Sequence, residues 1–410
     1  MTIRSLRTLL LLVSAAVPAL GAAVQATEEG GAAADRQTGA LRHVQLLGVA
    51  DGKVRFATST LGGIALHERA LGDEVLLAEP KAFLATEFPV LPMWTWRERV
   101  PWRLVERGDD AWLVAAHHRA SEVVVLRFPS GEPVARIPEA DALEDARFAG
   151  DRIEVLARRG EVIAFARVDP ESGATETSVL VDAGSKYAGA AFVAGPSVDG
   201  GNQPPTAATV ATYENGALVV YFVDLQNRDL RRVPTEIVQR RRTALRVSAR
   251  QHCDDRIAAI GLPLHDGERG QVVLVALDPP HVSPCWPHGR RREDRNVIGR
   301  DVLFGQAVAV TADADGDDRP DALVGAPYGF ASDHVDLVSP ARSRSIRRFD
   351  LISFLHRVGT AVSVSPCGRH VLASGGHAGY PEDHRLGGFA ALIDVERRGR
   401  IAATFLAPGR

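Results

Sequence analysis

Residues 304–327 read FGQAVAVTADADGDDRPDALVGAP. Two short apolar runs, AVAV (307–310) and ALVGA (322–326), flank a loop in which five of the nine residues 313–321 are Asp. The runs have the length and residue types of strands, and the loop has those of a turn. Asp313, Asp315, Asp317 and Asp321 occupy positions 1, 3, 5 and 9 of the nine. Alternate side chains on a tight turn converge, and four converging carboxylates repel one another. A hard dication removes that repulsion, and calcium takes six to eight oxygen ligands at roughly 2.3–2.6 Å. The backbone carbonyl of Arg319, at position 7, is a further candidate ligand, while Gly316 relieves the turn sterically. An EF-hand loop needs Gly at position 6 and Glu at position 12 between helices. Here those positions hold Asp318 and Val324, between strands. The remaining alternative is a solvated acidic turn with no metal, since Asp is common in turns.

Working outward, the same plan recurs. ALRVSARQHCDDRIAAIGLP (244–263) and AVSVSPCGRHVLASGG (361–376) each give an alternating strand, a polar turn, a second apolar strand and a closing Gly. AFVAGPSVDGGNQPPTAATVATY (191–213) is a more divergent copy. The starts at Ala244, Ala307 and Ala361 lie 63 and 54 residues apart. A unit of three or four strands at that period fits the blade of a β-propeller. Earlier runs such as KVRFAT (53–58), AWLVAA (111–116), EVVVLRF (122–128) and RIEVLA (152–157) are strands too, and they fall into three poorly marked units at about 41–90, 91–140 and 141–185. The expectation is an all-β chain with one β-propeller over 41–410. Seven blades fit best, and six or eight also fit the arithmetic. The copies are clearest at 191–235, 244–280, 304–345 and 358–408. The aligned loops of the other copies lack the aspartate set, so a single metal site is expected.

The stretch Phe304-Gly305, Asp313-x-Asp315-Gly316-Asp317-x-x-x-Asp321, Gly325-Ala326-Pro327 resembles the FG-GAP repeat, the blade unit of the integrin alpha-chain propeller. The match is strong over about 25 residues and weakens to a pattern in the neighbouring copies. The resemblance implies a calcium-binding loop between the first two strands of a blade, with Asp313, Asp315, Asp317 and Asp321 as ligands. In that family the ion stiffens the propeller, and partners bind on other loops. The family's Gly after the third ligand is replaced here by Asp318.

Composition sets the surroundings. The chain has 410 residues, 45% hydrophobic and 24% charged, with a formal net charge of −3. That is the make-up of a globular protein. The balanced charge argues against a nucleic-acid partner. Arg4 and Arg7 precede an apolar run, 9–20, and a small-residue stretch, which reads as a signal peptide over 1–26. The apolar run is too short for a comfortable membrane span, and residues 27–40 read as a flexible lead-in. An exported protein, periplasmic or secreted, is expected. Of the three cysteines, Cys253 and Cys285 are spaced so that they can pair, leaving Cys367 as a thiol expected to be buried.

Other candidates have plainer readings. His117-His118-Arg119 suits a turn, and Trp94, Trp96 and Trp102 suit packing between blades or, less simply, stacking on a ligand. Arg240 to Arg242 and Arg290 to Arg292 suit a solvated face. No nucleophile elbow, P-loop, dinucleotide fingerprint or H-E-x-x-H occurs. The sequence therefore favours a calcium-stiffened, non-enzymatic binding or adhesion module whose partner is a protein or a cell-surface glycan. The alternative is a propeller hydrolase or lyase acting on an extracellular polymer at the central channel, where local motifs do not reveal a site.

Overall fold

A computed structural model describes residues 43–59, 63–72, 75–77, 80–85, 102–117, 120–195, 207–238, 244–252, 255–263, 270–285, 301–329, 334–339, 344–350, 358–376, 386–396 and 399–408. The expected signal peptide and lead-in lie outside these residues, as do Trp94, Trp96, His118, Arg119, Cys253 and the arginine triplets at 240–242 and 290–292. Every element among the described residues is a β-strand. No helix among the described residues is long and apolar enough to cross a membrane.

The strands follow one another as antiparallel units of four, at 44–85, 102–138, 142–182, 189–238, 246–285, 307–350 and 358–408. Strands in the middle of a unit, such as Asp110–His117, bury almost every residue because neighbouring units cover both faces. Fourth strands such as Thr175–Asp182 and Leu230–Val238 stay mostly exposed. This is why the middle strands read as continuous apolar runs and the outer ones do not.

Seven hydrophobic clusters hold the described units together, each lying between two units. Six join neighbours in sequence. The other packs Val44, Leu46, Val54 and Phe56 of the first unit against Leu372, Ala390, Leu392 and Phe405 of the last. The Phe56 and Phe405 rings are 4.9 Å apart. The short strand Val75–Leu76 then adds in parallel to the outer edge strand Arg400–Pro408. The last described unit thus packs on the first, and the fold is a β-propeller.

The first strands of the units line the centre and touch one another. A hydrogen bond crosses every gap between neighbouring units, in these strands or in the turns that follow them. Ser363 Oγ accepts from Leu46 N, and Gln45 both donates to Leu104 O and accepts from Leu104 N. Arg103 Nε donates to Asp145, which also accepts from Phe192 N. Gly189–Ala194 and Arg246–His252 pair directly as parallel strands. Ser248 Oγ accepts from Val310 N, and Ala312 N donates to Gly368 O.

The cysteine expectations need correction. Cys285 is a free thiol rather than half of a disulfide. It is buried between the fifth and sixth units with its Sγ near the carbonyls of Ser283 and Ser339, and burial pushes its pKa up to about 12. Cys367 is exposed, not buried, in a turn between two strands of the last unit.

Candidate metal centre

The aspartate loop joins the first two strands of the sixth unit, Ala307–Val310 and Ala322–Ala326. Those strands pair in register from Ala307↔Gly325 to Val310↔Ala322. Thr311 N donates to Asp321 O at 2.8 Å and closes the base of the loop. Ala314 is buried in the cluster between the sixth and seventh units and pins the middle of the loop to the core.

Much of the loop is organised by its own carboxylates. Asp313 Oδ1 accepts from Asp315 N at 3.0 Å and Gly316 N at 2.7 Å, and its Oδ2 accepts from Asp318 N at 2.8 Å. Asp317 Oδ1 accepts from Arg319 N, and Asp321 Oδ2 accepts from Ala314 N. This wrapping requires left-handed backbone at Gly316 (φ +83) and at Asp318 (φ +61). Asp tolerates that region better than most L-residues, at a cost Gly avoids.

Asp313, Asp315 and Asp317 each present a carboxylate oxygen within 4.8 Å of the others. Two oxygens on opposite sides of one calcium ion are about 5 Å apart, so the cluster can close around such an ion. It is the one such group of acids, histidines and cysteines among the described residues. Asp321 stands outside that close triad yet near enough to feel all three charges. It is fully buried. Burial first, and then Asp315, Asp317 and Asp313, push its pKa up to about 8, against the opposing Ala314 N–H. Burial, and then Asp315 and Asp313, also raise Asp317, against the opposing Arg319 N–H. Asp321 Oδ1 and Asp317 Oδ2 are buried and accept no hydrogen bond from any described residue. Arg319 is exposed, and its contact with the group is through its N–H to Asp317.

Uncompensated acidic oxygens in a half-dry loop are what a hard cation satisfies and what a bare turn avoids. The donor set therefore fits calcium. Asp313, Asp315 and Asp317 would hold the ion, with Asp321 a buried carboxylate within reach of their charges.

The centre of the ring holds the other constellation of titratable groups. His43 Nε2 lies 3.3 Å from Arg103 Nη1, and its ring meets Trp102 edge-on at 5.0 Å. Burial, Arg103 and Arg246 hold His43 down to about 3, so it stays neutral. Its acceptor nitrogen faces Arg103, whose Nε is bound to Asp145. These groups latch the first three units together. Trp102 is buried between the first and second units, away from any stacking role. His117 ends the strand Asp110–His117 beside Glu122.

No known protein-family model matches the sequence, and no curated protein matches it. Among solved structures the chain is similar to the hydrazine synthase of Kuenenia stuttgartiensis, at 13% identity and a TM-score of 0.53 over 87% of this chain and 96% of that one. It is also similar to the dihydro-heme d1 dehydrogenase NirN in complex with DHE (13% identity, TM-score 0.48, 89% and 67% covered). A prolyl endopeptidase gives 12% identity and a TM-score of 0.47, with 90% of this chain and 51% of that one covered. At such identities the likeness speaks to the fold alone, and that fold is a β-propeller.

Proposed function

We propose that this chain is an FG-GAP-like, calcium-binding β-propeller that acts as a non-enzymatic binding or adhesion module. In this reading the chain is exported by the signal peptide at 1–26, and the seven units are its full set of blades. One structural ion sits in the sixth, and a protein or a cell-surface glycan is held on exposed loops. The observation carrying the proposal is Asp321. It is a fully buried carboxylate with one oxygen unmatched by any described donor, within electrostatic reach of three further acids. A dication at Asp313, Asp315 and Asp317 lets all four ionise, and it ties the loop to the core through Ala314.

The propeller hydrolase or lyase reading would draw on the channel. There His43, Arg103 and Asp145 are engaged in hydrogen bonds between units, which favours the binding module.

Differential scanning calorimetry with calcium and with a chelator tests the metal. Calcium at about a hundred times its dissociation constant stabilises by ~2.7 kcal/mol, which is several degrees in Tm for a chain of this size. Asp315→Ala is expected to melt at the chelated temperature with or without calcium. A wild-type Tm indifferent to both additions would remove the metal and the stiffening role together.

A further inference from the structure

The root of the aspartate loop is the segment 310–312, and both neighbouring units hold it. Ser248 Oγ, from the first strand of the fifth unit, accepts from Val310 N at 3.0 Å. Gly368 O, from the turn at 365–369 in the seventh unit, accepts from Ala312 N at 2.9 Å. Asp313 follows at once, and it is the carboxylate around which the loop wraps, through the N–H groups of Asp315, Gly316 and Asp318. Thr311 N, between the two held residues, closes the loop on Asp321 O.

The fifth and seventh units are in turn joined to each other. Arg250 lies two residues beyond Ser248 on the same strand, Arg246–His252, and reaches past the sixth unit to that turn. Its Nη1 and Nη2 both donate to Pro366 O, at 2.9 and 2.6 Å. Gly368, left-handed at φ +79, lies on the guanidinium where a Cβ would collide with it. Gly368 N donates to Ser365 O at 2.8 Å, so Pro366 and Gly368 belong to one tight turn. Ser248, Val310, Ala312, Gly368, Pro366 and Arg250 thus form a closed circuit around the root of the loop. Burying a guanidinium is costly, yet Arg250 is only 4% exposed, with both terminal nitrogens on one carbonyl oxygen. What the side chain adds in return is a fixed position for the turn, held by a planar fork.

We propose that Arg250 is a positioning residue of the calcium site. It acts through the turn of the seventh unit, which holds Ala312 and thereby sets where Asp313 stands in the free loop. The inference rests on the calcium reading above. It adds that the ion and a junction spanning three units stabilise each other. Groups that orient metal ligands without touching the metal are typically worth 10–100-fold in affinity. The coupling is reciprocal, so whatever Arg250 gives to calcium affinity, calcium returns to the turn.

The test is isothermal titration of the full chain with calcium, paired with amide hydrogen exchange. Arg250→Gln should weaken calcium binding about tenfold. Arg250→Lys keeps one charged donor for Pro366 O and should recover part of the loss. Gly368→Ala displaces the same turn and should weaken binding as well. Gln45→Ala cuts the bonds to Leu104 between the first two units, and it should lower Tm while leaving calcium affinity where it was. A purely structural Arg250 would make Arg250→Gln behave like Gln45→Ala. Should Arg250→Gln fail to fold, exchange in the wild type carries the test. Calcium should slow exchange about tenfold at the Ala312 and Gly368 amides, and leave Gly173, in a turn of the third unit, as it was. Calcium affinity unmoved by Arg250→Gln and Gly368→Ala overturns this proposal and leaves the metal reading standing. So does an unchanged exchange rate at Gly368 in a chain that binds calcium. A wild-type chain that binds no calcium overturns both.

Discussion

The junctions among the fifth, sixth and seventh units differ in material from those among the first three. In the later half, backbone meets backbone. A Cβ on Gly261 would stand 2.1 Å from Gly305 O, and one on Gly325 would stand 2.0 Å from Gly359 O. The closing glycine of each repeat therefore docks on the opening glycine of the next. In the earlier half, side chains fill the gap. Arg103 bridges to Asp145, and Arg107 lies over the Phe148 ring at 5.0 Å. Trp112 packs on Phe148. Backbone docking tolerates one residue type, while side-chain docking can be made in many ways. That difference explains why the repeat is written plainly in one half and hardly at all in the other.

Four changes test the contrast, from the largest expected effect to the smallest. Gly325→Ala drives a methyl into a carbonyl oxygen held by two strands, and it should cost about 3 kcal/mol or more in urea unfolding. A loss under about 1 kcal/mol would show that the glycine docking is dispensable. Asp145→Ala strands the half-buried Arg103 and the N–H of Phe192 together, with an expected loss of about 2–3 kcal/mol. If Asp145→Ala proves neutral, the earlier junctions are held by apolar packing alone.

Acid should find the first unit before the last. His67 is buried, bonds Thr58 and is held down to about 3 by burial and Arg69. The unfolded chain binds a proton at about 6.5 that the folded chain refuses until about 3. Stability is thus complete above the unfolded value and falls as pH drops through that window. Between neutral pH and pH 4.5 the loss from His67 should be about 2.5 kcal/mol, and His67→Gln should flatten the urea-midpoint profile by that much. A wild-type profile as flat as the variant's would contradict the assignment.

The smallest effect concerns the aspartate loop. Left-handed backbone costs an ordinary L-residue roughly 1–2 kcal/mol, and Gly gives back about 0.5–1 kcal/mol in chain entropy. Asp318→Gly should therefore stabilise by only about 0.5 kcal/mol, read as a small rise in Tm in both calcium and chelator. A fall would mean that the Asp318 side chain contributes something beyond its backbone.

How much was legible follows from the same contrast. The strands, their grouping into a propeller and the convergence of Asp313, Asp315 and Asp317 can be read from alternation and from the spacing of acids along one short loop. Asp321 belongs to the same spacing, yet its complete burial is visible only in three dimensions. The Cys253–Cys285 spacing suggested a disulfide, whereas Cys285 faces the core. Arg250 and Pro366, whose carbonyl it bonds, are 116 residues apart, and nothing local marks either one.

Sequence alone determined what short range can encode: strand against turn, and a loop whose acids must face one another. Only the tertiary structure decided which groups from distant units meet, because ring closure brings together residues whose separation along the chain carries no signal. Gly325 against Gly359, Phe56 against Phe405 and Arg250 against the Pro366 carbonyl are contacts of that kind.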